Sequence, residues 1–321
     1  MKSHSSLPIW IRDANGMAFS DIPVTPGGRM PDFCIIGAAK GGTTALNAML
    51  DAQPFVFMNP LKEPHYFSTP ELLERGDDWY RGLYAGASED QILGEASTSY
   101  TRYPLVAGTA ERMAAANPQM KLIYVLRNPV ARAQSECLQT MKYAHRVLKE
   151  DHTHKSLDDF FREIEQPEHP YYAGVVAAST YIDQIDAFRK VFDLENILIL
   201  MQEDIRTDPK GTLSRICDFL GVDSSKLVDT DLRANVTAEW QEALSYERVE
   251  TRFSKIPFYR TLKAIAPAWL KSYLLRKSSA KTMPTSQKFS PALKAELADI
   301  FREPNRRLSA LIGPLPEDWP Q

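Results

Sequence analysis

Short apolar runs alternate with longer segments of mixed polarity along most of this 321-residue chain. An apolar run of about four to eight residues bounded by turn residues is typical of a buried strand, whereas apolar positions three and four apart indicate an amphipathic helix. These patterns predict strands at 33–37, 55–58, 91–95, 121–126 and 197–201. They predict single helices at 43–52, 105–116, 129–143, 156–165, 177–192 and 209–220, and more than one helix around 69–84.

Strands that alternate with helices favour an α/β fold with a central parallel sheet flanked by helices. With 44% hydrophobic residues, the chain is long enough to bury one large core, so we expect a single domain. We divide it into an N-terminal arm (1–31), a core (32–222) and a C-terminal helical part of the same domain (223–321). In such a sheet, ligands bind at the carboxyl ends of the strands.

A glycine-rich turn follows the first predicted strand. Glycines allow successive backbone N–H groups to point at one anion, and the start of the next helix adds a partial positive charge. The turn predicts an anion site formed by Lys40, Gly41, Gly42, Thr43 and Thr44. A Walker A loop has its lysine directly before the Ser or Thr, whereas Lys40 precedes the glycine pair. A glycine turn that merely packs a strand against a helix would have the same local sequence.

A second polar group follows the apolar run 122–126, in the sequence Arg-Asn-Pro-Val-Ala-Arg-Ala-Gln-Ser from Arg127 to Ser135. Asn128 suits a helix N-cap, and Pro129 suits the first helical position. An arginine and a serine hydroxyl at the carboxyl end of a strand suit a phosphate dianion. Taken separately, Arg127 could be a surface ion-pair residue and Ser135 an ordinary helix position.

A third group, Lys-Glu-Pro-His-Tyr-Phe, begins at Lys62. The prolines at 60 and 64 favour extended conformations in the residues before them. Glu63 therefore lies on a stiff, non-helical segment, where a carboxylate can accept a proton from a hydroxyl. His65 is either a partner of that carboxylate or a histidine packed in the core.

In this order, the three groups resemble the sulfotransferases that use 3′-phosphoadenosine 5′-phosphosulfate (PAPS), and most closely the Golgi-type carbohydrate and heparan sulfate enzymes. Matching stretches run from about residue 32 to residue 312. The resemblance implies a P-loop NTPase-like sulfotransferase fold and assigns residues 40–44 to the phosphosulfate. It assigns Arg127 and Ser135 to the 3′-phosphate of the donor. It makes Lys40, Glu63 and His65 catalytic, with Glu63 as the base.

Two features depart from that pattern or extend it. Ala96 stands where many members of the family have an active-site lysine. The segment 251–295 contains ten basic residues and no acidic one, so it could contact an anionic membrane surface, an anionic acceptor or the donor. A solvated basic helix face would have the same composition. The resemblance implies donor contacts from Lys277, Ser278 and Lys281.

The predicted function is sulfuryl transfer from PAPS to a hydroxyl, less readily an amine, releasing 3′-phosphoadenosine 5′-phosphate (PAP). We expect a carbohydrate or glycolipid acceptor, with sulfation of a secondary metabolite as the alternative. A P-loop kinase and a catalytically silent PAPS-binding scaffold remain as remote alternatives. No metal is expected, because the Walker A order of lysine and hydroxyl is missing and the strand at 121–126 ends in Arg127 rather than a carboxylate.

The composition of the chain also limits which binding partners and which cellular compartment we expect. A pI near 6 without a recognisable motif argues against nucleic-acid binding. Cys34, Cys137 and Cys217 lack metal-ligand spacing and are expected to be buried thiols. His152 and His154 are expected to be loop residues rather than metal ligands. Without a membrane-length apolar run or a signal-peptide pattern, we expect a soluble, cytoplasmic, bacterial member of the family.

Overall fold

The computed structural model describes residues 24–148, 150–152, 154–228 and 287–321. Among these residues, five parallel strands form one sheet in the order β2-β3-β1-β4-β5. The chain connects β1 to β2 on one side and β4 to β5 on the other, so the carboxyl ends of β1 and β4 flank the switch point of the sheet. The strands are β1 (Phe33–Gly37), β2 (Val56–Met58), β3 (Ile92–Ala96), β4 (Lys121–Leu126) and β5 (Ile197–Met201).

Helices cover both faces of this sheet, which confirms the predicted α/β class with a central parallel sheet. In the described part of the chain they are α1 (Thr43–Asp51), α2 (Pro70–Leu73), α3 (Gly76–Gly82), α4 (Thr109–Ala116), α5 (Pro129–Tyr143), α6 (Leu157–Ile164), α7 (Tyr172–Val175), α8 (Tyr181–Phe188), α9 (Gln202–Thr207), α10 (Pro209–Leu220) and α11 (Pro291–Ile312).

The buried central strand β1 shows how the sequence divides the core. Successive side chains on a strand point to opposite faces. Phe33 and Ile35 pack against residues of α1 and α10, whereas Cys34 and Ile36 pack against residues of α4, α8 and α11. Because both faces are covered, β1 is apolar throughout, as is typical of a strand inside a parallel sheet.

Local sequence explains where several helices begin. Asn128 Oδ1 accepts hydrogen bonds from the backbone N–H groups of Val130 (3.1 Å) and Ala131 (3.2 Å), which confirms the predicted N-cap of α5. The predicted helix 105–116 starts later, at Thr109, because Gly108 adopts a left-handed conformation (φ 77°) directly before it.

The helices predicted within 69–84 are α2 and α3, two short helices separated by residues 74–75. One other predicted helix differs from the structure. The predicted helix 177–192 is shorter, because residues 177–179 form a separate 3₁₀ turn before α8. Within the described ranges, no helix is long and apolar enough to cross a membrane.

Candidate active site

The carboxyl ends of β1 and β4 bring the first two sequence motifs together. Residues 38–42, named the anion loop below, follow β1, and Arg127 follows β4. The guanidinium of Arg127 donates a hydrogen bond to the backbone oxygen of Lys40 (3.1 Å). The loop and the arginine therefore form one site, as the sequence predicts, although 87 residues separate them in the chain.

The glycine pair gives the anion loop its shape. A Cβ atom on Gly41 would lie 2.7 Å from the backbone oxygen of Val125 and 2.9 Å from that of Ala38, so a side chain would not fit. The N–H of Gly41 donates to Ala38 O (2.8 Å) and closes the turn. Gly41 thus shapes the loop, and the N–H groups that face an anion belong to the residues after it.

Gly42 opens α1 in a left-handed conformation, with φ at 98°. It is the N-cap residue and has no side chain that could bond to the first N–H groups of the helix. Those groups have no partner inside the helix either. Residues 42–44 therefore present N–H donors and the positive end of the helix dipole at one point, as a phosphate or sulfate group requires.

Lys40 also adopts a left-handed conformation, with φ at 69°. Its Nζ donates to Gln139 Oε1 of α5 over 2.5 Å. Burial lowers the pKa of the Lys40 ammonium, while the negative charges of Glu136 and Glu63 oppose that shift. Lys40 is therefore a cation held between α5 and the anion loop, within electrostatic reach of Glu63.

Ser135 lies on α5 and is half-buried, one helical turn before Gln139. Residues 132, 135, 136 and 139 follow the spacing of one helix face. The structure thus places Arg127 beside the anion loop and Ser135 on the helix that holds Lys40. No contact joins Arg127 to Ser135 directly in the described residues, so a shared ligand between them stays a prediction.

Arg132 belongs to the same motif but faces the interior, with 0% of its surface exposed. Its guanidinium donates to Ala39 O (3.0 Å) in the anion loop. It also donates to Gly174 O (2.9 Å), Val175 O (3.2 Å) and Ser179 Oγ (2.7 Å). A buried guanidinium needs several acceptors to offset its lost hydration, and these four atoms supply them. Arg132 therefore supports the loop from behind.

Glu63 lies on a non-helical segment, as predicted, but its backbone is left-handed (φ 62°) rather than the extended conformation that Pro64 favours. Thr98 Oγ1 donates to Glu63 Oε2 (2.9 Å), and Lys62 Nζ lies 3.2 Å from Glu63 Oε1. Burial alone would raise the pKa of this carboxyl group. The charge of Lys62, the neighbouring His65 and the bond from Thr98 outweigh burial, so the pKa falls below its ordinary value of 4.5.

His65 lies beside that carboxylate, with Nε2 3.6 Å from Glu63 Oε2. Its Nδ1 lies 2.7 Å from Ser99 Oγ, and only 4% of the residue is exposed. Burial lowers the pKa of His65 to about 4, although Glu63 opposes the shift. His65 is thus both buried and paired with Glu63, so the two alternatives from the sequence are compatible.

The other residues singled out from the sequence either make none of the contacts given above or lie outside the described residues. Ala96 packs in the core beside α1, and its position supplies no cation. Lys277, Ser278 and Lys281, with most of the basic segment, lie outside the described residues. His152 is buried against Phe160 and paired with Glu150 rather than loop-exposed, whereas His154 is exposed. Across the described ranges, no group of three or more His, Cys, Asp or Glu side chains could hold a metal ion.

Sequence reasoning did not find three residues that position this site: Gln139, Thr98 and Ser99. Gln139 continues the helix face of Ser135 at i+4, so helical spacing is a signal that could have found it. Thr98 and Ser99 follow β3, and nothing in their local sequence indicates that they bond to residues 63 and 65.

The low pKa values of Glu63 and His65 predict the pH dependence of the site. A base must be deprotonated, and a group with a lowered pKa stays deprotonated until the pH falls through that value. We expect kcat/KM to stay level from about pH 8 down to about pH 5. A pH series on purified protein measures this. A decline centred near 6.5, the ordinary pKa of histidine, would contradict the assignment.

A parallel α/β sheet with an anion loop after its central strand and an arginine after the neighbouring strand defines a protein that binds phosphate- or sulfate-bearing ligands. The family model for the sulfotransferase domain matches residues 30–304. The chain therefore belongs to the sulfotransferase domain family, which confirms the resemblance inferred from the motifs.

Curated relatives and a solved structure agree with this membership. Human heparan sulfate glucosamine 3-O-sulfotransferase 6 is 33% identical over 208 residues, which cover 63% of this chain and 55% of that protein. Human heparan sulfate glucosamine 3-O-sulfotransferase 3B1 is 30% identical over 194 residues, covering 60% and 47%. The chain spans about half the length of these relatives.

The solved structure is a sulfotransferase from Alicyclobacillus acidocaldarius. It superposes with a TM-score of 0.60 at 26% identity, covering 91% of this chain and 99% of that one. This similarity extends well beyond the motifs and confirms the predicted sulfotransferase fold.

Proposed function

We propose that this protein transfers a sulfuryl group from PAPS to a hydroxyl group of a carbohydrate acceptor, with PAP as the second product. The observation that carries the proposal is the pairing of an ionised carboxylate with an anion-binding loop. Thr98 donates a hydrogen bond to the Glu63 carboxylate, which lies beside His65. The carboxylate also acts electrostatically on Lys40 of the loop.

The residues at the anion loop fit the donor. Gly41 leaves no room for a side chain, and the N–H groups that begin α1 are not capped by a side chain of Gly42. Lys40 and residues 42–44 would hold the phosphosulfate, while Arg127 and Ser135 would hold the 3′-phosphate. When bound, PAPS supplies the sulfuryl group as the electrophile.

Two further tasks, proton removal and charge stabilisation, fall to different groups of the protein. Glu63 accepts the proton of the attacking hydroxyl, since its low pKa keeps it ionised at neutral pH. Lys40 and the N–H groups of residues 42–44 stabilise the negative charge that grows at the loop during transfer. That stabilisation is useful only if it is stronger in the transition state than in the ground state.

A carbohydrate acceptor is favoured because the relatives named above act on heparan sulfate glucosamine, as their names state. The Lys-Glu-Pro-His-Tyr-Phe segment, which positions the base, supports the same assignment. A glycolipid or a secondary metabolite would also offer a hydroxyl to Glu63. The basic segment 251–295 remains a proposed contact for an anionic acceptor or a membrane surface.

Turnover of PAPS labelled in its sulfuryl group, measured with a panel of glycans, glycolipids and phenolic or alcoholic metabolites, tests the proposal. We expect label on a glycan hydroxyl, and we expect excess chelator to leave the rate unchanged. Binding of PAP without transfer to any acceptor would favour a scaffold. Activity that requires Mg²⁺ and ATP would favour a kinase.

The position of Arg127 beside the anion loop predicts that the protein binds PAP more tightly than AMP. Arg127→Ala should weaken PAP binding by roughly tenfold and leave AMP binding almost unchanged, because a charge-assisted hydrogen bond is lost only in PAP. Calorimetric titration with both nucleotides measures this. Arg306→Ala, which removes an exposed arginine on α11, is the matched control. Equal binding of PAP and AMP by the unaltered protein would contradict the assignment.

We also propose a reducing, cytoplasmic location. It is supported by Cys34, Cys137 and Cys217, which are free, buried thiols in the structure, as expected. Fractionation of cells that express the full-length protein tests the location, and recovery in a membrane or secreted fraction would contradict it.

A further inference from the structure

A line of three side-chain contacts runs from Glu63 into the interior. His65 Nε2 lies 3.6 Å from Glu63 Oε2, and His65 Nδ1 lies 2.7 Å from Ser99 Oγ. Ser99 Oγ in turn lies 2.6 Å from Ser68 Oγ. The exposed fractions of His65, Ser99 and Ser68 are 4%, 0% and 5%, so these contacts form inside the protein.

Burial of His65 and its lowered pKa favour a neutral ring, and for a neutral ring one placement of protons makes every contact in this line favourable. An ionised carboxylate can only accept hydrogen bonds, so the ring nitrogen facing Glu63 must carry a proton. A neutral imidazole has one N–H, so Nδ1 must then accept a bond. Ser99 Oγ is the hydroxyl that faces Nδ1, and it can donate. The hydroxyl of Ser68 completes the line by donating to Ser99 or to the backbone oxygen of His65 (3.1 Å).

The segment that follows β3 makes hydrogen bonds to both Glu63 and His65. Ser97 Oγ accepts the backbone N–H of His65 (3.0 Å), which fixes the left-handed backbone at that residue. Thr98 donates to Glu63 (2.9 Å), and Ser99 faces the His65 ring. Three consecutive hydroxyl side chains therefore orient the backbone of residue 65, the carboxylate and the imidazole.

We propose that Ser99 is a positioning residue that fixes His65 as the neutral tautomer with its proton on Nε2, directed at Glu63 and the acceptor hydroxyl. This inference rests on the proposed function and deepens it. In this tautomer the lone pair of the ring points inward to Ser99, so His65 does not compete for the acceptor's proton. Glu63 alone is the base, and the Nε2–H of His65, 3.6 Å from Glu63 Oε2, favours the ionised carboxylate electrostatically.

Nitrogen NMR of the histidine rings tests the tautomer in the unaltered protein. Protonated and unprotonated ring nitrogens resonate far apart, and His65→Gln identifies the His65 signals among the six histidines. We expect Nε2 to carry the proton and Nδ1 to be unprotonated at neutral pH. A protonated Nδ1, in either a neutral or a cationic ring, would overturn the proposal.

Two variants separate positioning from folding. Ser99→Ala should convert the His65 signals to a mixture of tautomers and lower kcat by roughly tenfold, with PAP affinity retained, because a buried acceptor loses its donor. Ser68→Ala, the matched control, removes a neighbouring buried hydroxyl but keeps the bond to Nδ1. It should keep the tautomer and lose less activity. An unchanged tautomer in Ser99→Ala would sink the proposal.

The NMR measurement and the activity measurement together distinguish this inference from the proposed function. The tautomer depends only on the contacts of His65, so it is measurable even without turnover. If no acceptor were sulfated but the Nε2 proton were observed, the proposed function would fail and the orientation of His65 would stand. If sulfation were observed with Nδ1 protonated, the role of Ser99 would fail alone.

Discussion

Glu63→Gln is expected to lower the turnover number by about 10²–10⁴-fold, the usual cost of removing a general base. Glutamine keeps the size of the side chain, but it cannot take a proton from the acceptor. The affinity for PAP should remain almost unchanged, because the proposed donor contacts are made by the anion loop and the start of α1 rather than by Glu63. Steady-state kinetics and calorimetric titration with PAP measure the two effects.

Lys40→Ala provides the contrasting result. Lys40 would contact the phosphosulfate before and during transfer, so its loss should lower both donor affinity and the maximal rate. His65→Ala is a further comparison, because His65 lies beside the base without replacing it. If Glu63→Gln kept full turnover while His65→Ala abolished it, the histidine would be the base and the role assigned to Glu63 would be withdrawn.

Gly41→Ala is expected to weaken PAP binding by roughly tenfold or more, because an added Cβ overpacks the loop. The atoms it would meet, Val125 O at 2.7 Å and Ala38 O at 2.9 Å, belong to the backbone and cannot rotate away. The loop must shift, and the N–H groups at the start of α1 would shift with it. Calorimetry with PAP and a thermal melt of the same sample measure the effect.

Gly86→Ala is the matched control for that substitution. Its nearest neighbours, atoms of the Phe57 ring, would lie 3.7 Å and 3.8 Å from the new Cβ, which is ordinary contact. PAP affinity should therefore stay at the level of the unaltered protein. If Gly41→Ala bound PAP as tightly as Gly86→Ala, the anion loop would not be the donor site.

The strands were the most predictable part of the fold. Those inside a parallel sheet are buried on both faces, so their apolar runs are continuous and their ends are marked by polar residues. Helix ends were less predictable. Gly108 starts α4 through its backbone conformation, and residues 177–179 form a separate 3₁₀ turn before α8.

The site residues also differed in how well the sequence predicted them. Lys40, Glu63 and Arg127 could be identified because glycines, prolines and strand ends mark the local sequence around them. Their supporting partners could not, since Thr98 and Gln139 meet them only after the sheet brings distant segments together. Ser135 was placed on its helix correctly, but its contact with a ligand depends on the donor itself.

The buried guanidinium of Arg132 has a thermodynamic consequence. It ties Ala39 of the anion loop to residues 174–179, so these two segments behave as one rigid body. A binding site that is already ordered loses little conformational entropy when its ligand arrives. The donor would therefore meet a fixed template rather than a closing flap, and the hydrogen-bonded amides of Ala38 and Gly41 should exchange slowly even before nucleotide is added.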